Sequence, residues 1–96
     1  MIDRDGDRYR VKGALTLRTA AALLARGRQV FVDPLSRVDL SEVTELDSAA
    51  LGLLLEWLRE ARIQQREIVY LNLPENLKSL GSLYGVLDLL PQAPSA

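Results

Sequence analysis

The sequence predicts a single small α/β domain, a mixed sheet of four or five strands flanked by helices. Three observations predict it. The chain has 96 residues, which suits one domain. Short alternating or apolar runs bounded by turn residues are interleaved with helical patterns, the order that gives a parallel or mixed sheet. The composition, 48% hydrophobic and 26% charged, is that of a folded globular protein rather than a disordered one. The domain is placed at residues 1–90, and residues 91–96 are expected to form a disordered C-terminal tail.

The elements follow in order. Residues 1–8 are charged and read as frayed or turn-forming, with Asp5-Gly6-Asp7 as the turn. Tyr9 and Val11 alternate with polar residues up to Gly13, a first strand, and Ala14-Leu15-Thr16-Leu17 reads as a second that pairs with it. Thr19 is placed to cap a helix through Ala20–Ala25, with Gly27 as its stop. Arg28 to Asp33 fits either a strand or a helix tail, ended by Pro34. Ser36 to Leu40 is a strand with Val38 and Leu40 on one face, and Ser41 to Leu46 is a connecting loop. A long helix runs from about Ser48 to Gln64. Glu67 to Leu73 is the clearest strand, apolar on both faces as in a strand covered on both sides. Pro74 opens the last helix, with Leu77, Leu80 and Tyr84 at buried spacing. Gly81 and Gly85 end it near Tyr84, and Val86 to Leu90 add a final turn.

The composition also excludes function classes. Twelve basic residues balance thirteen acidic ones, and the net charge of −1 argues against a nucleic-acid binder. Two basic groups, Arg26/Arg28 and Arg59/Arg62/Arg66, read as solvated surface. The absence of cysteine removes disulfides, zinc–thiolate sites and thiol nucleophiles. The absence of histidine removes the commonest general base and metal ligand. Asp39 and Asn72 fall near strand ends, where α/β sheets place ligands, but hydrogen bonds of loops and caps account for them as well. The expectation is a chain that is not an enzyme and has no cofactor and no metal. The polar start, MIDRDGDRYR, carries no apolar signal region, and no apolar run approaches the ~20 residues that span a bilayer. A cytoplasmic protein without direct membrane insertion is therefore expected.

The long helix carries more leucine than one buried stripe needs. At about 100° per residue, Leu54, Leu55 and Leu58 lie within about 60° of Leu51 and form the core face. Ala50, Trp57 and Ala61 lie on its flank and Leu53 further round, while Ser48, Gly52, Glu56 and Arg59 occupy the polar side. Two readings stand. Leu53 and Trp57 pack under a neighbouring helix, or they form part of a surface for a partner protein. Ser48 likewise is either a helix cap or a docking or phosphoryl-acceptor residue.

The run Val38-Asp39-Leu40-Ser41-Glu42-Val43-Thr44-Glu45-Leu46-Asp47-Ser48-Ala49-Ala50-Leu51 resembles the centre of the STAS domain family. The shared pattern is an apolar strand ending in Asp-Leu-Ser, a short loop, Asp-Ser/Thr, two small residues and a leucine-rich helix. The resemblance implies a non-catalytic α/β module. In the branch of anti-sigma-factor antagonists it implies a phosphorylated serine at Ser48. In the small STAS subunit of the Mla-type phospholipid ABC transporter it implies docking on the ATPase subunit. The chain looks more like the second branch, because Ala50 stands where the antagonists typically keep glycine. On that reading Asp47, Ser48, Ala49, Gly52, Leu53, Glu56 and Trp57 contact the ATPase, and through it the membrane permease, at the inner membrane. It predicts that Ser48→Glu and Leu53→Asp each abolish binding and leave a folded monomer.

Overall fold

The structure, a computed structural model, describes residues 1–93. The element order is β1 (Ile2–Asp5), β2 (Arg8–Val11), β3 (Gly13–Leu15), α1 (Ala20–Val30), β4 (Leu35–Asp39), β5 (Val43–Leu46), α2 (Ala49–Ile63), β6 (Glu67–Leu71) and α3 (Glu75–Leu83), then a 3-10 turn at Leu87–Leu89. Four strands form a mixed sheet in the order β1-β2-β4-β6, with β1 antiparallel to β2 and the other pairs parallel. β3 and β5 form a separate parallel pair. The expected mixed four-stranded sheet flanked by helices is therefore the architecture observed, with a second small sheet added.

The two faces of the main sheet differ. Register places Ile2, Tyr9, Val11, Ser36, Val38, Ile68 and Tyr70 on one face, and all are buried. The helices pack there, and the Tyr70 hydroxyl donates to the Leu54 carbonyl at 2.7 Å. The other face carries Asp3, Asp5, Arg8, Arg10, Arg37 and Asp39, tied by ion pairs such as Arg10–Asp5 at 2.8 Å and Arg8–Asp39 at 3.7 Å. One face buried and one charged is the alternation of a sheet covered on one side. Val69 of β6 is only half-buried on the charged face, so β6 is less enclosed than its sequence predicts.

Several local expectations change. Residues 2–5 are a strand rather than a frayed end, and only Gly6 and Asp7 turn. β3 stops at Leu15 and pairs with β5 instead of β2, so the segment expected as a loop, 41–46, contains a strand. α1 runs through Gly27 to Val30, which settles the helix-tail alternative and removes Gly27 as a stop. The Thr19 hydroxyl does not cap α1 but donates to Ala14 O at 2.8 Å and accepts from Thr16 N. Tyr84 is exposed rather than buried, and Gly81 takes the buried position on α3. The tail expected from 91 to 96 begins against the sheet. Tyr70 N donates to Pro91 O at 2.8 Å and Ala93 N donates to Tyr70 O at 3.1 Å, while residues 94–96 lie outside the described residues.

The helix ends have clear chemistry. After α2, Gln65 takes a left-handed φ of 58°, Gln65 N donates to Arg62 O and Arg66 N donates to Ala61 O at 2.8 Å. That pair of bonds is a Schellman motif, and it satisfies carbonyls that would otherwise be orphaned. Gly85 (φ 71°) and Val86 repeat it after α3.

Candidate functional site

The head of α2 is fixed from below by the small sheet. Leu15 of β3 pairs with Leu46 of β5, and Asp47 N then donates to Leu15 O at 3.2 Å. Both Asp47 oxygens are engaged. Oδ1 accepts from Ala49 N at 2.8 Å and Oδ2 accepts from Leu17 N at 3.1 Å. Asp47 thus caps the helix and ties it to the chain after β3.

Ser48 is released from that duty. Its side chain makes no capping hydrogen bond, and the residue is exposed. The cap expected at Ser48 is therefore supplied one residue earlier. Gly52 lies one turn on and is also exposed, and a Cβ added there would meet nothing within 4 Å. Glu56 follows a turn later, bonded to Arg59, which holds its carboxyl below the usual carboxylate range. Asp47, Ser48, Ala49, Gly52 and Glu56 thus form one accessible strip along the start of α2.

Leu53 and Trp57 do not belong to it. They are 4% and 2% exposed and belong to the core, and Gly27 of α1 lies against Trp57. The expectation that they face a partner is corrected: both are buried in the core, and Trp57 packs under the neighbouring helix. Trp57 lies edge-on to Phe31 at 5.1 Å, and Phe31 edge-on to Tyr9 at 5.2 Å. A Cβ on Gly27 would run into Trp57 Nε1 and come within 2.8 Å of Cδ1, so α1 carries glycine where the indole presses on it. The apolar element that sequence reasoning missed is Leu17, 79% exposed and beside Asp47. Strand alternation had grouped it with buried Leu15, and no local signal marks the end of β3 at Leu15.

Asp39 and Asn72 are also explained. Asp39 is 4% exposed and lies at the end of β4. Its Oδ1 accepts from Ser41 N at 2.9 Å and from the Asn72 amide at 3.1 Å, with Arg8 alongside. Burial works to raise its pKa, but the hydrogen bonds from Ser41 and Asn72 and the charge of Arg8 outweigh it and leave the group below its ordinary value. These contacts join the ends of β4 and β6, which is the loop role rather than a ligand site. A carboxyl depressed on folding stabilises the fold above its unfolded pKa, and that contribution is lost as pH falls through the folded value. Asp39→Asn should therefore cost about 1–3 kcal/mol at pH 7. The gap from the parent should narrow below about pH 4. Urea unfolding at pH 7 and pH 3 checks this, and an equal gap at both would refute it.

Among the described residues no three His, Cys, Asp or Glu side chains group to hold a metal, and no helix is long and apolar enough to cross a membrane. What remains is a one-sided α/β domain with a rigidly capped, sparsely furnished helix head presented to solvent. The chain belongs to the STAS domain family: a family model described as "Mlab, STAS domain" matches residues 2–91. Solved structures share the fold. An anti-sigma factor antagonist from Mycobacterium paratuberculosis superposes with a TM-score of 0.74 at 21% identity, over 99% of this chain and 84% of that one. The phosphorylated form of the Bacillus cell fate determinant SpoIIAA gives 0.67 at 15% identity, over 97% and 89%. A sulfate transporter family protein from Wolinella succinogenes gives 0.69 at 13% identity, over 88% and 70%. No curated protein matches the chain.

Proposed function

We propose that this STAS domain is the cytoplasmic subunit of a phospholipid ABC transporter and docks on the ATPase through the head of α2. The observation that supports this branch is the match of the Mlab-type family model across residues 2–91. The structure supplies a suitable surface, Asp47, Ser48, Ala49, Gly52 and Glu56 with Leu17 as its apolar neighbour. Small side chains at 48, 49 and 52 let a partner backbone approach closely. Ala50 stands where the antagonists typically keep glycine. Its methyl is fully buried, so it fills the core and does not face a partner.

The test is co-purification of the tagged chain with an ABC ATPase and its permease, followed by Ser48→Glu. A charge enclosed at such a contact without a partner costs about 2–5 kcal/mol, so binding should fall by about 30-fold or more. Ser48→Glu should leave the melting temperature within about 4 °C, because exposed substitutions shift stability by about 0.5 kcal/mol or less. Undiminished binding of the ATPase by Ser48→Glu sinks the docking surface.

A second reading has an observation of its own. The Ser48 hydroxyl is exposed and free of capping, and SpoIIAA, which shares the fold, exists in a phosphorylated form. On that reading the chain is an anti-sigma-factor antagonist switched by phosphate on Ser48. Intact mass of protein from its own cells separates the two, since only the switch predicts a species heavier by one phosphate that disappears in Ser48→Ala.

A further inference from the structure

The far end of α2 carries a feature that the docking reading leaves unused. The last turns of α1 and α2 and the start of β6 enclose a groove of about 550 Å³, within the range of small-molecule sites. Its inner wall is apolar, built from Phe31, Trp57, Ala61 and Ile68, and exposed Val32 and Ile63 stand at its rim. Members of the two basic groups that read as solvated surface in the sequence meet here, with Arg28 from α1, Arg59 from α2 and Arg66 from the turn after α2 lining the groove. Among the described residues one carboxylate, Glu60, lines it with them.

The charges sort unequally. Arg28 is held by Glu60 in a two-pronged pair at 2.7–3.0 Å, and Arg59 is held by Glu56. Among the described residues Arg66 has a single long bond, from Nη1 to the Phe31 carbonyl at 3.5 Å, and it is half-buried at the mouth of the apolar wall. A second polar group in the wall is also unmatched. Trp57 is 2% exposed and its Nε1–H has no acceptor among the described residues. That N–H is pressed against Gly27 of α1, so it is Arg66, with guanidinium donors to spare beside the apolar wall, that leaves the groove short of acceptor oxygens. A helix C-terminus attracts cations through its dipole, which explains Arg28 and Arg62, but it does not create an aromatic-walled groove beneath them.

The geometry points to a binding site for an amphipathic organic anion, with its apolar body against Phe31, Trp57 and Ile68 and its carboxylate or phosphate on Arg66. Guanidinium suits such a headgroup because its donors form a planar fork matched to two oxygens. The site is at the opposite end of α2 from Ser48, so it stands or falls independently of the ATPase reading.

Trp57 is the only tryptophan, so its fluorescence reports on the groove directly. Octanoate should change that fluorescence saturably, with a Kd of about 1 mM or below. Octanol, the same body without the charge, should bind roughly tenfold more weakly. Arg66→Gln should bring octanoate down to the level of octanol, and Ala61→Leu, which fills the groove from a half-buried position, should abolish both responses. Both variants should keep the parent far-UV spectrum and melting temperature. The site is overturned by an unsaturated response to octanoate up to about 10 mM, by equal affinity for octanoate and octanol, or by unchanged octanoate affinity in Arg66→Gln. Binding to anionic phosphatidylglycerol vesicles with no response to free octanoate would also overturn it, in favour of a membrane-facing patch.

Discussion

Leu53→Asp should unfold the chain rather than detach a partner from it. Leu53 is 4% exposed and belongs to the core cluster. Truncating a buried leucine costs about 2–5 kcal/mol in lost transfer energy and cavity. An ionised carboxylate enclosed there without a partner adds several kcal/mol more. A domain of this size has roughly 5–15 kcal/mol of stability in all, so the sum consumes most or all of it. The expected result is loss of near-UV circular dichroism, or a melting temperature lowered by roughly 20 °C or more. A variant with the parent's spectrum and melting temperature would show that Leu53 is not enclosed. This expectation replaces the one that the sequence alone suggests, a folded monomer that no longer binds. It also sets a rule for interpreting binding data, because loss of binding in Leu53→Asp reports unfolding, whereas loss in Ser48→Glu reports contact.

The contrast between those two residues shows which parts of the fold are legible. The strand at 67–71 and the helix at 49–63 declare themselves because each is long and apolar in a fixed period, and Pro74 marks the start of α3 in the place proline tolerates. β1 is hidden because it is an edge strand whose partner-facing chemistry is ionic. Of IDRD only Ile2 is buried, and Lys12–Asp3 and Arg10–Asp5 pairs hold it to β2. β5 is hidden because its partner β3 lies far earlier in the chain, Gly13 pairing with Val43 and Leu15 with Leu46, and none of Val43–Leu46 is fully buried. Gly27 reads as a stop by local preference, yet tertiary packing overrides it: the helix continues and the missing side chain makes room for Trp57.

The candidate site divides along the same line. Asp47 and Ser48 are identifiable as the head of a helix from sequence, but which of the two caps it depends on Leu17 N and Ala49 N both reaching Asp47. The angular position of Leu53 and Trp57 is correct from the sequence. Whether solvent, a partner or α1 covers that flank is a property of the assembled fold, and at Trp57 it is α1 that does.

Trp57→Ala is expected to lower stability by about 3–5 kcal/mol without being a binding variant at all. The indole is 2% exposed, wedged between Gly27 of α1 and the Phe31 ring, and through Phe31 it reaches Tyr9 in the sheet. Deleting it opens a cavity between α1 and α2 and removes an edge-to-face pair worth about 0.5–1.5 kcal/mol. One term runs the other way. Trp57 Nε1–H is buried without an acceptor among the described residues, and that unmet donor costs the parent about 1–3 kcal/mol, which the truncation relieves. The balance places Trp57→Ala roughly 15–25 °C below the parent in melting temperature. Trp57→Phe separates the terms, since it keeps most of the volume and the aromatic pair but drops the N–H. It should lose less than about 1.5 kcal/mol. A hot spot on a partner surface gives the reverse pattern, with Trp57→Ala as stable as the parent and binding lost. Chemical denaturation of the two variants distinguishes these outcomes before any partner is in hand. If Trp57→Phe were as damaging as Trp57→Ala, the indole N–H would have an acceptor after all.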